Sequence, residues 1–145
     1  MFQSTITLTS AAANVAIDAA CQEASKNNWA VTIAIADAGG IPLLVKRNDG
    51  AFAASYEIAV GKARTAAQFQ KETGLLEASA NVSDGSSRTS LLSAPYVLMR
   101  GGVPIFDTKN GICIGSVGVS GVAPDQDEQV AKAAVNALAS TISKL

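Results

Sequence analysis

An α+β fold, a mostly antiparallel sheet with helices packed on it, is what this chain predicts, and three observations predict it. Two pairs of alternating apolar runs are each closed by tight-turn sequences, Asp37-Ala38-Gly39-Gly40 and Thr108-Lys109-Asn110-Gly111, whose glycines supply the positive φ that hairpin turns need. Apolar residues recur at helical spacing near both ends and again in the middle of the chain. The resulting order, α-β-β-α-(loop)-β-β-β-α, is dominated by hairpins, which join antiparallel neighbours.

The elements follow in turn. From Thr9 to about Asn27, alanines alternate with Val15, Ile17 and Cys21 at helical spacing, with Thr9 or Ser10 as the cap. Val31, Ile33 and Ile35 alternate with Thr32 and Ala34, so the first strand carries one face of small residues that something can approach closely. Ile41 to Lys46 returns as its partner. A loop of two or four residues would put Arg47 on the face of Leu43 and Val45, at the edge of the hairpin. After the Asn48-Asp49-Gly50 turn a helix is expected from about Phe52 to Lys71, with Gly61 in its middle marking a close approach by a backbone or a ligand. Thr73 to Ser93 reads as a broken helix and a mobile loop, an ordinary surface connection more readily than a lid. Three strands follow, Tyr96 to Met99, Val103 to Asp107 and Ile112 to Val119. Gly115, Gly118 and Gly121, recurring every third residue from the last of them onward, lack the spacing of a dinucleotide loop and read as places where a helix or a backbone lies flat. In the final helix Asp125 and Glu128 have capping-box spacing, and Val130, Ala134 and Leu138 form an apolar stripe.

The 145 residues suit one domain without an internal boundary. Hydrophobic residues make up 48% and charged residues only 16% of the chain, against about 25% charged in an average soluble domain, so we expect a homo-oligomer that covers the bare patches. The formal net charge of -1 argues against nucleic acid or an anionic membrane as partner and leaves a small molecule. The run MFQSTITLTS lacks the charged start and apolar centre of a secretory signal, and no apolar stretch is long enough to span a bilayer. A cytoplasmic protein is therefore expected, with Cys21 and Cys113 as small buried hydrophobes. Histidine is absent, which removes Ser-His and Cys-His nucleophiles, an imidazole base and histidine-ligated metal. No metal site is expected.

The charges that remain fall at the ends of apolar runs or on the middle helix: Asp37, Lys46, Arg47, Asp49, Lys62 and Arg64. Arg47 beside Asp49 is either a ligand clamp or a turn-stabilising ion pair, and Asp37 either a base or an acceptor of turn amides. Lys62 shares a helix face with Ile58, Thr65 and Phe69. A lysine in such company either snorkels to water or is held as a charge or base. Tyr96 and Met99 are either core or ligand contacts.

Five ordered motifs carry a resemblance over nearly the whole chain: I-A-I-A-D-A-G-G from Ile33, R-N-D-G-A from Arg47, K-A-R-T-A from Lys62, G-G-V-P from Gly101, and I-G-S-V-G-V-S-G from Ile114 followed by Asp127. Together they resemble the GlcG/HbpS-like family, which includes haem-binding proteins and the C-terminal domain of the PduO corrinoid adenosyltransferases. The resemblance implies a profilin-like fold, a five-stranded antiparallel sheet flanked by helices, assembled into dimers and larger oligomers. It implies haem or a corrinoid as ligand. Without histidine, haem iron would take Tyr56, Tyr96, Met99, a cysteine or an uncharged oxygen, or have no strong axial ligand. The matching Arg47, Lys62, Thr65, Gly101 and Gly102, with Asp49, Tyr96 and Met99 near them, equally suit a pocket for a small carboxylate. Arg47 would be its bidentate clamp and Lys62 its point charge. Three functions follow as expectations. The first is a binding protein for an anionic metabolite or tetrapyrrole, its pocket near a subunit interface. The second is an isomerase- or lyase-type enzyme in which Lys62 or Asp37 moves a proton on a carboxylate clamped by Arg47. The third is an oligomeric haem-linked stress module.

Overall fold

Thr9 starts the fold by accepting the Ala12 amide on its hydroxyl at 3.2 Å, and helix α1 runs over Ser10–Lys26 behind that cap. The computed structural model describes residues 1–83 and 94–145. Strands β1 (Thr32–Asp37) and β2 (Pro42–Arg47) form the first hairpin, helices α2 (Ser55–Phe69) and α3 (Thr73–Ala80) follow, strands β3 (Gly102–Asp107) and β4 (Ile112–Ser120) form the second hairpin, and α4 (Pro124–Ile142) ends the chain. The sheet has the order β2-β1-β4-β3, with every pairing antiparallel. It is an α+β structure with helices on both faces of the sheet.

The two faces differ in kind. On one, Ile33, Ile35, Ile105, Val117 and Val119 pack with Ala16, Ala20, Val130, Ala134 and Leu138 of α1 and α4 in the main core. On the other, α2 lies on Ala34 and Ala36 with only Ala59, Ala63 and the flanks of Val45 and Val60 between them. Small residues let the helix backbone reach the sheet. A methyl at Gly118 would run into the carbonyl of Ala59, so at this position glycine is what closes the layer. Polar bonds then supplement the thin apolar contact: Ser116 donates to the Ala63 carbonyl at 2.6 Å, and the hydroxyls of Thr32 and Ser55 meet at 2.7 Å.

Two expectations are corrected. The described residues form four strands, not five, because Tyr96 to Met99 is not in the sheet. Its backbone bonds to side chains instead: the Val97 amide donates to Thr65 Oγ1 at 3.0 Å, and the Met99 carbonyl accepts from Thr73 Oγ1 at 2.7 Å. The segment thus passes across α2, with Val97 against Gly61 and the Tyr96 ring edge-on to Phe69 at 4.9 Å between centroids. The mid-helix glycine thus makes room for a side chain, Val97, rather than for the backbone or ligand expected there. The capping box of α4 also shifts. Ala123 is the N-cap, and its amide donates to Gln126 Oε1 at 3.1 Å, because Pro124 sets the first helical position two residues earlier than the Asp125–Glu128 reading required. Of the broken helix and loop expected over 73–93, the helical part is α3, and the rest lies largely outside the described residues.

Candidate functional site

Among the described residues the fully buried cation is Lys62. Position 62 faces the seam where α2, the end of β4, the approach to β3 and the first turn of α4 converge. Its ammonium donates to the Val119 carbonyl at 2.8 Å and to Asp127 Oδ2 at 2.9 Å, and the two side chains expose 0% and 2% of their surface. Asp127 spends its other oxygen on the Val122 amide at 3.1 Å, so its carboxylate both closes the turn into α4 and holds the lysine. Burial pulls the Lys62 ammonium below its ordinary pKa and pushes the Asp127 carboxyl above its own, each partly offset by the other's charge and hydrogen bond.

Gly101 and Gly102 pack directly on this pair. Gly101 has φ 126°, and a side chain there would come within 2.8 Å of Lys62 Nζ and 2.9 Å of Asp127 Cβ. Gly102 donates its amide to Thr73 Oγ1 at 2.8 Å. Thr65 donates to the Gly61 carbonyl at 2.7 Å and accepts from Val97, which draws the segment holding Tyr96 onto α2. The structure therefore gathers Lys62, Thr65, Gly101 and Gly102, with Tyr96 and the Met99 carbonyl beside them.

Arg47, Asp49 and Asp37 lie elsewhere. Arg47 pairs with Thr32 on the outer strand β2, about 10 Å, two strand spacings, from the β4 backbone that holds Lys62. It is exposed, and among the described residues it makes no ion pair with Asp49, itself exposed. Asp37 stands at the opposite end of β1, five residues or about 17 Å along the strand from Thr32. Its Oδ1 accepts the amides of Gly39 at 2.9 Å and Ile41 at 3.0 Å, the turn role weighed for it.

Thr73, and Glu128, which the sequence marked only as a capping residue, tie the seam together. Thr73 bonds both Met99 and Gly102, and nothing in the sequence marks it. Glu128, buried on α4, accepts from Arg100 Nε at 2.7 Å and Nη2 at 2.6 Å and lies 3.5 Å from Lys132. Burial raises the Glu128 carboxyl, but the Arg100 bond and the Lys132 charge outweigh it and leave the group below its usual range.

Two cavities lie away from Lys62 and Asp127. One, of about 440 Å³, runs along β3 between the α2–α3 junction and α4, lined by Val103, Pro104, Phe106, Leu75, Lys71 and Lys132 among others. A second, of about 390 Å³, lies between the N-terminal segment and the hairpin ends, with Asp37 and Cys113 on its wall. No helix among the described residues is long and apolar enough to cross a membrane.

A family model described as haem-degrading protein HbpS-like matches residues 8–136. The chain belongs to the HbpS-like family. Protein GlcG of Escherichia coli K12 is 41% identical over 109 residues, covering 74% of this chain and 77% of GlcG. Among solved structures, the Klebsiella pneumoniae protein ORFY superposes with a TM-score of 0.86 at 31% identity over 99% of this chain and 96% of its own. PduOC, solved as a haem complex, gives a TM-score of 0.81 at 28% identity over 92% of this chain and 96% of its own. The resemblance that the motifs carried is thus shown at the level of the family. In this HbpS-like chain they serve the turn at Asp37, the Lys62–Asp127 seam and the glycine face of β4.

Proposed function

We propose that this protein binds a tetrapyrrole or another small organic anion and does not carry out proton-transfer chemistry on it. The observation that carries this reading is the separation of the charged groups. A proton-transfer site on a small carboxylate needs base and clamp within a few ångströms of one substrate. Here Asp37 ends β1 at the turn of the first hairpin while Arg47, on β2, lies beside Thr32 at the hairpin's other end, and Lys62 is enclosed with Asp127 and a carbonyl. Kinship supports the ligand class, since PduOC was solved with haem and the family description names haem. Binding is the step that holding and degrading haem share. The low charge of the chain, 16%, supports a dimer-based homo-oligomer with the pocket near a contact between copies. A profilin-like classification and a cytoplasmic location belong to the same reading.

Titration with haem and, separately, a thermal-shift series with small carboxylates test it. A saturable Soret change at about one haem per chain, or a dose-dependent rise in melting temperature with an anion, is the expected result. No response to either at micromolar haem and millimolar carboxylate sinks the binding reading. Turnover of a carboxylate that is lost in Asp37→Asn would install the enzyme reading in its place.

A further inference from the structure

The cavity between the N-terminal segment and the turn of the first hairpin holds a single charge. Its walls are aliphatic, with Ile6, Leu8, Leu43, Ile112 and Ile114 around a volume of about 390 Å³, within the range of small-molecule sites. Asp37 is the one charged residue among those that line it. Cys113 completes the wall as a neutral group, because burial pushes its thiol up and its hydrogen goes to the Gly115 carbonyl at 3.3 Å.

Both sides of the cavity are fixed in place. Leu8 anchors the N-terminal segment in the main core, close enough to β4 that a side chain at Gly115 would come within 2.9 Å of its Cδ2. The turn is held from the other side, where Gln68 of α2 donates to the Gly39 carbonyl at 3.1 Å and Gly40 packs on the Arg64 backbone. Within that turn Asp37 commits only Oδ1, which accepts the amides of Gly39 and Ile41. Its Oδ2 has no hydrogen bond or ion pair among the described residues, and Arg64, the cation packed on the turn, does not pair with it. The carboxylate therefore keeps a set orientation and a spare acceptor beside an aliphatic chamber.

Such a chamber selects by sign. An anion against these walls would meet Asp37 with no cation in the lining to offset it. An ammonium would gain a charge-assisted hydrogen bond from a pre-oriented acceptor, and its alkyl body would rest on the isoleucines and leucines.

We propose that this cavity binds a small alkylammonium, a primary amine with an aliphatic body, on Asp37. The site is separate from the one proposed for an anionic ligand and does not rest on it.

Hexylamine, hexanol and hexanoate share one body and differ in the head group, and titrating each into the full chain by calorimetry tests the proposal. Hexylamine should bind saturably in the millimolar range or below, about tenfold more tightly than hexanol, with hexanoate weaker still. Asp37→Asn keeps an oxygen for the two turn amides and removes the charge. It should bring hexylamine down to the affinity of hexanol while the melting temperature stays near that of the natural chain. In nuclear magnetic resonance spectra of the natural chain, hexylamine should shift the amides of Gly39, Ile112 and Ile114. No saturable hexylamine binding, equal affinities for the three head groups, or an undiminished affinity in folded Asp37→Asn would each overturn the proposal. If Asp37→Asn fails to fold, the order of the three head groups and the place of the shifted amides decide, and shifts confined to other parts of the molecule would overturn it.

Discussion

The Lys62 ammonium and the Asp127 carboxylate meet at 2.9 Å with at most 2% of either side chain in water, joining the middle helix of the chain to its last. Two charges withdrawn from water to this degree depend on one another, because each alone would carry its whole desolvation cost. Lys62→Met should therefore destabilise the fold by about 3–5 kcal/mol by leaving Asp127 buried and uncompensated. The double variant Lys62→Met with Asp127→Asn should recover most of that, since the amide oxygen of Asn can still accept from the Val122 amide. Urea denaturation of the four proteins measures the coupling. Additive losses would mean that the pair is not a unit.

Thr73 gives a second test. Its hydroxyl accepts the buried Gly102 amide at 2.8 Å and donates to the Met99 carbonyl at 2.7 Å, pinning the strand that enters the sheet beside Lys62. Thr73→Val keeps the shape but orphans a buried amide, a cost of about 1–3 kcal/mol. Thr73→Ser should restore at least half of the loss. Equal stability of the valine and serine variants would show that shape alone matters there.

The acid limb of stability should belong in part to Glu128. Arg100 and Lys132 overcome burial and hold its carboxyl below the ordinary value of 4.5, so over that window the unfolded chain binds the proton more tightly. Stability from this group is complete above the unfolded pKa and is lost as the pH falls through the lower folded value. Asp127 opposes it: burial raises its carboxyl, so the folded chain takes up that proton more readily and gains stability on acidification. Glu128→Gln should thus lower stability at neutral pH and flatten its decline below about pH 4.5. The measurement is the urea midpoint at several pH values, compared with the natural chain, and parallel curves would remove Glu128 from the account.

Hairpins, helices and the small-residue face were legible in the sequence because each rests on local chemistry: Asn110-Gly111 and Gly39-Gly40 as turns, Ala34 and Ala36 as a flat surface, Gly61 and Gly118 as places of close approach. The supposed strand at Tyr96 to Met99 was misread because its β-like composition is satisfied by Thr65 and Thr73, residues 26 to 32 positions away that no local pattern reveals. Lys62 stood out by its apolar company. Its partner lies 65 positions on, among acids that the helix dipole already explained, and so gave no separate signal. Arg47 and Asp37 illustrate the converse: near neighbours in sequence, they lie on different strands at opposite ends of the hairpin, Asp37 at its turn and Arg47 at its open end.

The glycine and alanine seat of α2 has a consequence for how the protein comes apart. A layer held mainly by Ala34, Ala36, Ala59 and Ala63 and a few polar bonds gains far less from burial than the layer of α1 and α4 with its isoleucines, valines and leucine. The two sides of one sheet should then open at different free energies. In native-state hydrogen exchange, the amides of α2 should behave as a separate, weaker cooperative unit, while those of α4 and β4 report global unfolding.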